Sequence, residues 1–285
     1  QAHARIALGY ALLLERDWVQ PLSPDSALAL GFRSVDRALA SDSASADGWM
    51  ARGYLLAIRD PLQYTGALLA FERAVTLDAR NPEVLHQYAS KLYELGQFER
   101  AVVMERRALD ADPARPVSQL QLAEAFAGQG RLDEAKRAAD SAIAIDPSYL
   151  DGYLIRSFLN LVRGENAAAR ADADEALRLS TGARRSAWAL EAAALSVAGD
   201  SGAASVALAH ALAPEEQDRA SWQDIIWSAV ALEKAGRTEE AMRLLERLPR
   251  RALTWAAIRL SFPDLRTNPR FRQLLEANRP SGAPR

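Results

Sequence analysis

Apolar positions recur along this chain at helical spacing. From Pro82, the residues Val84, Leu85, Tyr88, Leu92 and Leu95 follow the 3.6-residue period of one helix face. Gly96 ends that run, because glycine takes the left-handed cap conformation readily. The pattern restarts at Phe98 with Ala101, Val102, Met104 and Ala108. Asp112-Pro113 stops it, since proline cannot continue a helix. Pro82 and Pro116 each stand where a helix opens and a missing N–H costs nothing. The pattern predicts two helices joined by a glycine turn.

That pair is repeated. Gly96, Gly130 and Gly164 are 34 residues apart, and Gly199 and Gly236 follow after 35 and 37. Leu95-Gly96-Gln97-Phe98-Glu99-Arg100-Ala101 aligns with Gln129-Gly130-Arg131-Leu132-Asp133-Glu134-Ala135 and with the segment from Arg163 to Ala169. A second series, Leu109 to Pro113, Ile143 to Pro147 and Leu177 to Thr181, keeps the same register. Small residues recur where two helices of a pair would cross, such as Ala89, Ala123 and Ser157. A bulky side chain there would push the helices apart.

These residues resemble the tetratricopeptide repeat. One repeat carries Leu85, Ala89, Leu92, Gly96, Phe98, Ala101 and Ala108; the next carries Gln119, Leu122, Ala123, Phe126, Gly130, Leu132, Ala135, Ala142 and Pro147. Tyr153, Ser157, Gly164, Ala169, Ala176 and Leu179 form a third. The flanks are weaker copies. The resemblance implies an all-α fold, a right-handed superhelical solenoid of about seven helix pairs closed by C-terminal capping helices. Residues 1–45 read as a degenerate first repeat with a long turn through Pro21 and Pro24. Residues 46–81 read as a repeat with about two extra residues in its turn, Arg59 to Gly66. Three regular repeats occupy 82–184, two divergent ones 185–250, capping helices 251–279 and a tail 280–285. Within the cap, Arg251 to Leu260 reads as a short helix and Asn268-Pro269 opens the final one.

The ending carries a second resemblance. Phe262-Pro263-Asp264-Leu265-Arg266-Thr267-Asn268-Pro269-Arg270-Phe271 and the residues to Leu275 are similar to the segment that closes the repeat regions of certain bacterial regulators. Those are membrane-anchored serine/threonine kinases, adenylate cyclases and winged-helix transcription regulators. The resemblance implies a sensory or scaffold part of a signalling protein, extracytoplasmic in the kinase and winged-helix types; without it the cytoplasm is expected. The chain begins at Gln1, not Met, and is expected to be a processed protein or a piece of something longer.

Composition agrees with helices. The 285 residues include 58 alanines, the best helix former, against 7% aromatics. A net charge of -2 argues against general nucleic-acid binding, which needs a cationic surplus. No cysteine is present, so disulfides, thiolate metal sites and cysteine nucleophiles are excluded in this segment. No apolar run reaches the roughly 18 residues that crossing a membrane requires.

Candidate chemistry is sparse. Gly199-Asp200-Ser201-Gly202 resembles the nucleophile motif of trypsin-like proteases but falls at a repeat turn, where its residues serve as stop and cap. Gly128-Gln129-Gly130 lacks the strand and the lysine of a phosphate loop. Asp172, Asp174 and Glu175 are flanked by Arg170 and Arg178, which reads as a salt-bridged face. Arg184-Arg185 and Arg250-Arg251 read as partners of helix C-terminal carbonyls. His3, His86 and His210 have no metal-ligand spacing. No catalytic residue, metal or cofactor is expected.

The resemblance instead directs attention to the first helix of each pair, which lines the concave face of such arrays and commonly holds an extended peptide. By register, the expected groove residues are Met50, Tyr54, His86, Gln87, Ser90, Tyr93, Gln121, Glu124, Leu154, Ile155, Phe158 and Trp227, with Ala189, Ala193, Ile226 and Val230 between them. The lysine, arginine and asparagine of a carboxylate clamp are missing there. A polar patch flanked by apolar ones suits peptide backbone and side chains. Two other readings stand beside it: self-association through Leu154, Ile155 and Phe158, and a helical-repeat enzyme using His86 and Glu124.

Overall fold

A computed structural model describes residues 2–15, 23–60, 64–182, 184–213, 222–248, 262 and 264–279, with the backbone alone for 11–15, 222 and 264. The fold is all-α, and no strand occurs among the described residues. The chain divides into two compact units. The first comprises Gln1–Pro113, Arg250–Ala256 and Asn278–Arg285; the second comprises Ala114–Pro249 and Ala257–Ala277.

Three hairpins build the first unit: α1 (Ala2–Glu15) with α2 (Pro24–Ser41), α3 (Ala46–Arg59) with α4 (Thr65–Leu77), and α5 (Pro82–Glu94) with α6 (Phe98–Ala111). Four build the second: α7 (Pro116–Gly128) with α8 (Leu132–Ile145), α9 (Leu150–Val162) with α10 (Asn166–Leu179), α11 (Arg185–Val197) with α12 (Ser201–Ala211), and α13 (Trp222–Lys234) with α14 (Thr238–Glu246). Within each unit the first helices stack in a row, α1 on α3 on α5 and α7 on α9 on α11 on α13. A 3-10 turn, Asp264–Thr267, and a last helix, Pro269–Ala277, pack with α14 in the second unit.

The repeat signals act as read. Gly130 has φ +74°, and the next amide, Arg131 N–H, donates to Phe126 C=O at 2.9 Å, which is the wrapped bond of a left-handed helix stop. The same bond follows Gly96, Gly164, Gly199 and Gly236. Five of the described hairpins carry small residues on the inner face of the first helix. Ala89, Ala123 and Ala229 are fully buried, and Ser157 is buried with its hydroxyl donating to Ala169 C=O at 2.7 Å. At Gly53 a Cβ would stand 2.9 Å from the Phe71 ring, so the α3–α4 crossing has no room even for a methyl group.

The first repeat needs one correction. Pro24 does not lie in its turn; it opens α2, with the Ser23 hydroxyl accepting from Ser26 N–H. Pro21, the helix expected over 251–260, the Arg250-Arg251 pair and the tail 280–285 lie outside the described residues. So do 61–63 of the enlarged second turn, while Arg59 closes α3 and Thr65 opens α4.

Buried polar groups tie the pairs together. Arg156 on α9 grips Asp172 on α10 through Nε and Nη2, at 3.0 and 2.7 Å, and reaches Asp140 on α8 at 2.7 Å. Asn160 donates to the same Asp172 at 2.9 Å. The acidic cluster is therefore split. Asp172 belongs to the interior, Glu175 pairs with Arg178, and Arg170 lies 3.9 Å from Glu191, so neither arginine serves Asp174 as the spacing suggested. Arg185 meets the carbonyls of Ala211 and Ala213 at the end of α12, at 3.1 and 2.8 Å, as expected of a cation at a helix C-terminus.

Candidate functional site

In the first unit, several expected groove residues are consumed by packing. Met50 and Tyr54 are each 3% exposed. The ammonium of Lys91 lies 4.3 Å from the Tyr54 ring centre and 2.6 Å from Glu94 Oε1, while the Tyr64 hydroxyl donates to Glu94 Oε2 at 2.8 Å. Tyr54 is thus one wall of a buried cation site that register alone does not reveal. His86 turns into its own hairpin, where its Nδ1 lies 2.7 Å from Oε1 of the fully buried Glu105 on α6. What the face retains is Gln87, Ser90 and Tyr93, all half-buried. Gln87 is braced by Glu83 at 2.8 Å, and the Tyr93 ring leans on Phe98 at 5.7 Å.

In the second unit Gln121 is buried, and its Nε2 has no hydrogen-bond partner. Glu124 is half-buried. Burial, and then the negative charges of Asp151, Glu124 and Asp146, push the Tyr149 phenol well above its ordinary pKa. The apolar patch closes on itself. Phe158 on α9 and Trp227 on α13 touch with ring centres 4.9 Å apart, tilted by 56°. Both pack against the core cluster of Leu154, Ala173, Ala176, Ala187 and Leu190. The helix between them, α11, presents the fully buried Ala189 and Ala193. Alanine leaves a gap, and the aromatic side chains of its two neighbours fill it. Leu154, Ile226 and Val230 are likewise core, and Ile155 is half-buried.

His86 and Glu124 belong to different units, and the carboxylate that His86 meets is Glu105. The Gly199–Gly202 segment is a turn and cap, with Gly199 at φ +83° and the Asp200 carboxylate accepting from Ala203 N–H at 3.1 Å. Among the described residues no group of three or more His, Cys, Asp and Glu could hold a metal ion. No helix among them is long and apolar enough to cross a membrane.

Register reasoning overlooked Glu233. It continues the α13 face of Ile226 and Val230 by one turn, at the spacing that places Tyr93 after His86 and Ser90. Its side chain is only 4% exposed and borders an open depression.

Residues 117–149, spanning most of α7 and α8, match the tetratricopeptide repeat family. The chain contains a tetratricopeptide repeat. Two curated relatives from Arabidopsis thaliana share the repeats: a TPR repeat-containing thioredoxin, TTL4, at 28% identity over 105 residues, and an inactive TPR repeat-containing thioredoxin, TTL3, at 32% over 95 residues. The matches cover 36% and 33% of this chain, which spans only 15% and 14% of those relatives. This segment has no cysteine, so no dithiol chemistry accompanies the likeness.

Solved structures agree on the fold. PilW, described as a widely conserved type IV pilus biogenesis factor, superposes with TM-score 0.62 at 16% identity, covering 76% of this chain and 96% of that one. PilF of Pseudomonas aeruginosa superposes with TM-score 0.59 at 20% identity, covering 76% and 93%.

Proposed function

We propose that this chain is an interaction module that holds a peptide or protein segment on the first helices of its repeats. One comparison between repeat positions carries the reading. Residues 89, 123 and 157 occupy the same place in three successive repeats, and all three are small and fully buried. Their immediate neighbours, Ser90, Glu124 and Phe158, are all half-buried and chemically unlike: a hydroxyl, a carboxylate and an aromatic ring. Packing dictates the first row and leaves the second open to other demands. Ser90 and Glu124 can serve a peptide backbone and a basic side chain, each within its own unit. Phe158 is partly spent on Trp227 and contributes its exposed edge.

In this reading the module is the sensory or scaffold part of a larger bacterial signalling protein. The support for that context is the likeness of residues 262–275 to the closing segment of such regulators.

A peptide library displayed on phage and selected against the whole chain tests the binding reading. Sequences enriched on the wild type and lost on Ser90→Arg or Glu124→Arg are expected. Enrichment unaffected by either substitution would overturn the placement, and no enrichment would overturn the peptide reading.

A further inference from the structure

Where one repeat meets the next, a first-helix residue reaches back to an acid on the second helix before it. Arg52 on α3 donates to Asp36 on α2 at 3.0 Å, the Tyr88 hydroxyl on α5 donates to Glu72 on α4 at 3.0 Å, and Arg156 on α9 donates to Asp140 on α8 at 2.7 Å. Each of these bonds spans 16 residues. The donors stand three residues after Trp49, Leu85 and Tyr153, which share one repeat position. Trp188 holds that position in α11, and three residues on stands Glu191. At this joint, which lies within the second unit, an acid takes the place of the donor.

The surroundings do not compensate. Glu191 is buried, and its Oε2 has no hydrogen-bond partner. Arg170 on α10 lies 3.9 Å from Oε1, beyond the roughly 2.7–2.9 Å of a charge-assisted hydrogen bond. Burial, and then the negative charge of Asp174 on the same α10, raise the Glu191 carboxyl above the ordinary carboxylate range. Arg170 and His210 on α12 oppose them. The other helices packed on α11 have their charges engaged elsewhere. On α9, Asp151 pairs with Arg184, and Arg156 with Asp140 and Asp172. On α13, Asp224 holds Ser186, and Glu233 faces Lys234.

We propose that Glu191 makes the joint between the α9–α10 and α11–α12 hairpins pH-sensitive, tight while its carboxyl is protonated and loosened when it ionises beside Asp174. A protonated carboxyl is an O–H donor, as the residues at this place in the other joints are donors. An ionised one is a second anion in an interior that screens charge poorly. The sign follows from the raised value. The neutral form supports the fold fully below the ordinary 4.5, and that support is lost as the pH rises through the folded-state value. Acid therefore tightens the joint. Phe158 and Trp227 meet across α11, so the state of the joint bears on that aromatic contact. The inference stands apart from the peptide reading, because no ligand enters it.

Amide hydrogen exchange of the whole chain tests it, with wild type and Glu191→Gln compared at about pH 8 and again at about pH 5. Comparing the two proteins at one pH cancels the intrinsic exchange rate. At the higher pH the amides of α10 and α11 should exchange at least about threefold more slowly in Glu191→Gln, and at the lower pH the difference should shrink towards none. The pattern should persist when both proteins also carry His210→Gln, which removes the titration of the imidazole. Equal or faster exchange in Glu191→Gln at the higher pH overturns the proposal. So does a difference of the same size at both pH values, or one that vanishes with His210→Gln. If Glu191→Gln loses its helicity, Asp174→Asn at the exposed neighbouring site decides. Slower exchange than wild type at the higher pH alone then supports the joint, and any other result overturns it.

Discussion

His86 and Glu105 face each other across the α5–α6 hairpin, Nδ1 to Oε1 at 2.7 Å, with the carboxylate fully buried. The pair joins the two helices of one repeat. His86→Ala withdraws this partner from a carboxylate that has no access to water. The expected loss is about 1–3 kcal/mol of stability, read from denaturant midpoints. A His86→Ala protein as stable as the wild type would remove the structural role.

Neighbouring residues 89 and 90 should behave oppositely. Ala89 is fully buried at the helix crossing, so Ala89→Leu should cost about 1–3 kcal/mol by overpacking. Ser90 is half-buried, and Ser90→Ala should stay within about 0.5 kcal/mol. Urea unfolding of both variants checks the contrast, and equal losses would contradict the assigned register.

Phe158 and Trp227 should be energetically coupled. Their rings meet across the alanines of α11, and a double-mutant cycle with leucine at each position should give about 0.5–1.5 kcal/mol of interaction. Additive losses would show that the contact contributes nothing of its own.

The Tyr88 phenol should titrate at about 12 in place of 10.0. Burial is the main cause. Arg100 opposes it, while Glu72 adds to it by its charge and by accepting the hydroxyl proton at 3.0 Å. A raised pKa on an acid means that the unfolded chain releases this proton first. The stabilisation is complete below about pH 10 and is lost as the pH rises through 12. Absorbance of tyrosinate against pH, compared with Tyr88→Phe, reads it directly; a Tyr88 component titrating near 10 would refute the shift.

The architecture was legible because it rests on local rules. A glycine every 34 residues stops a first helix, and a small residue seven positions before it lets the hairpin close; both are visible without any long-range knowledge. The direction of first-helix side chains was harder to read. His86, Ser90 and Tyr93 share a helical face by spacing, yet a carboxylate 19 residues away draws His86 into the hairpin. Ala189 and Ala193 were read as groove lining. They are the gap that lets Phe158 and Trp227 meet, and a gap is visible only when its neighbours are in place. Glu233 was one helical turn beyond the last residue considered, and the depression beside it is completed by Thr267 and Asn268, more than 30 residues on. No periodicity links those segments.

The most direct test of the central claim compares two faces of the protein by photo-crosslinking. A benzophenone amino acid is placed at residue 90 or 124 on the first helices, or at the exposed Leu69 or Val103 on the second helices, and irradiated with a peptide selected by the intact chain. Adducts at 90 or 124 and none at 69 or 103 are the predicted result. Adducts confined to 69 and 103 would put the ligand on the second helices and contradict the account.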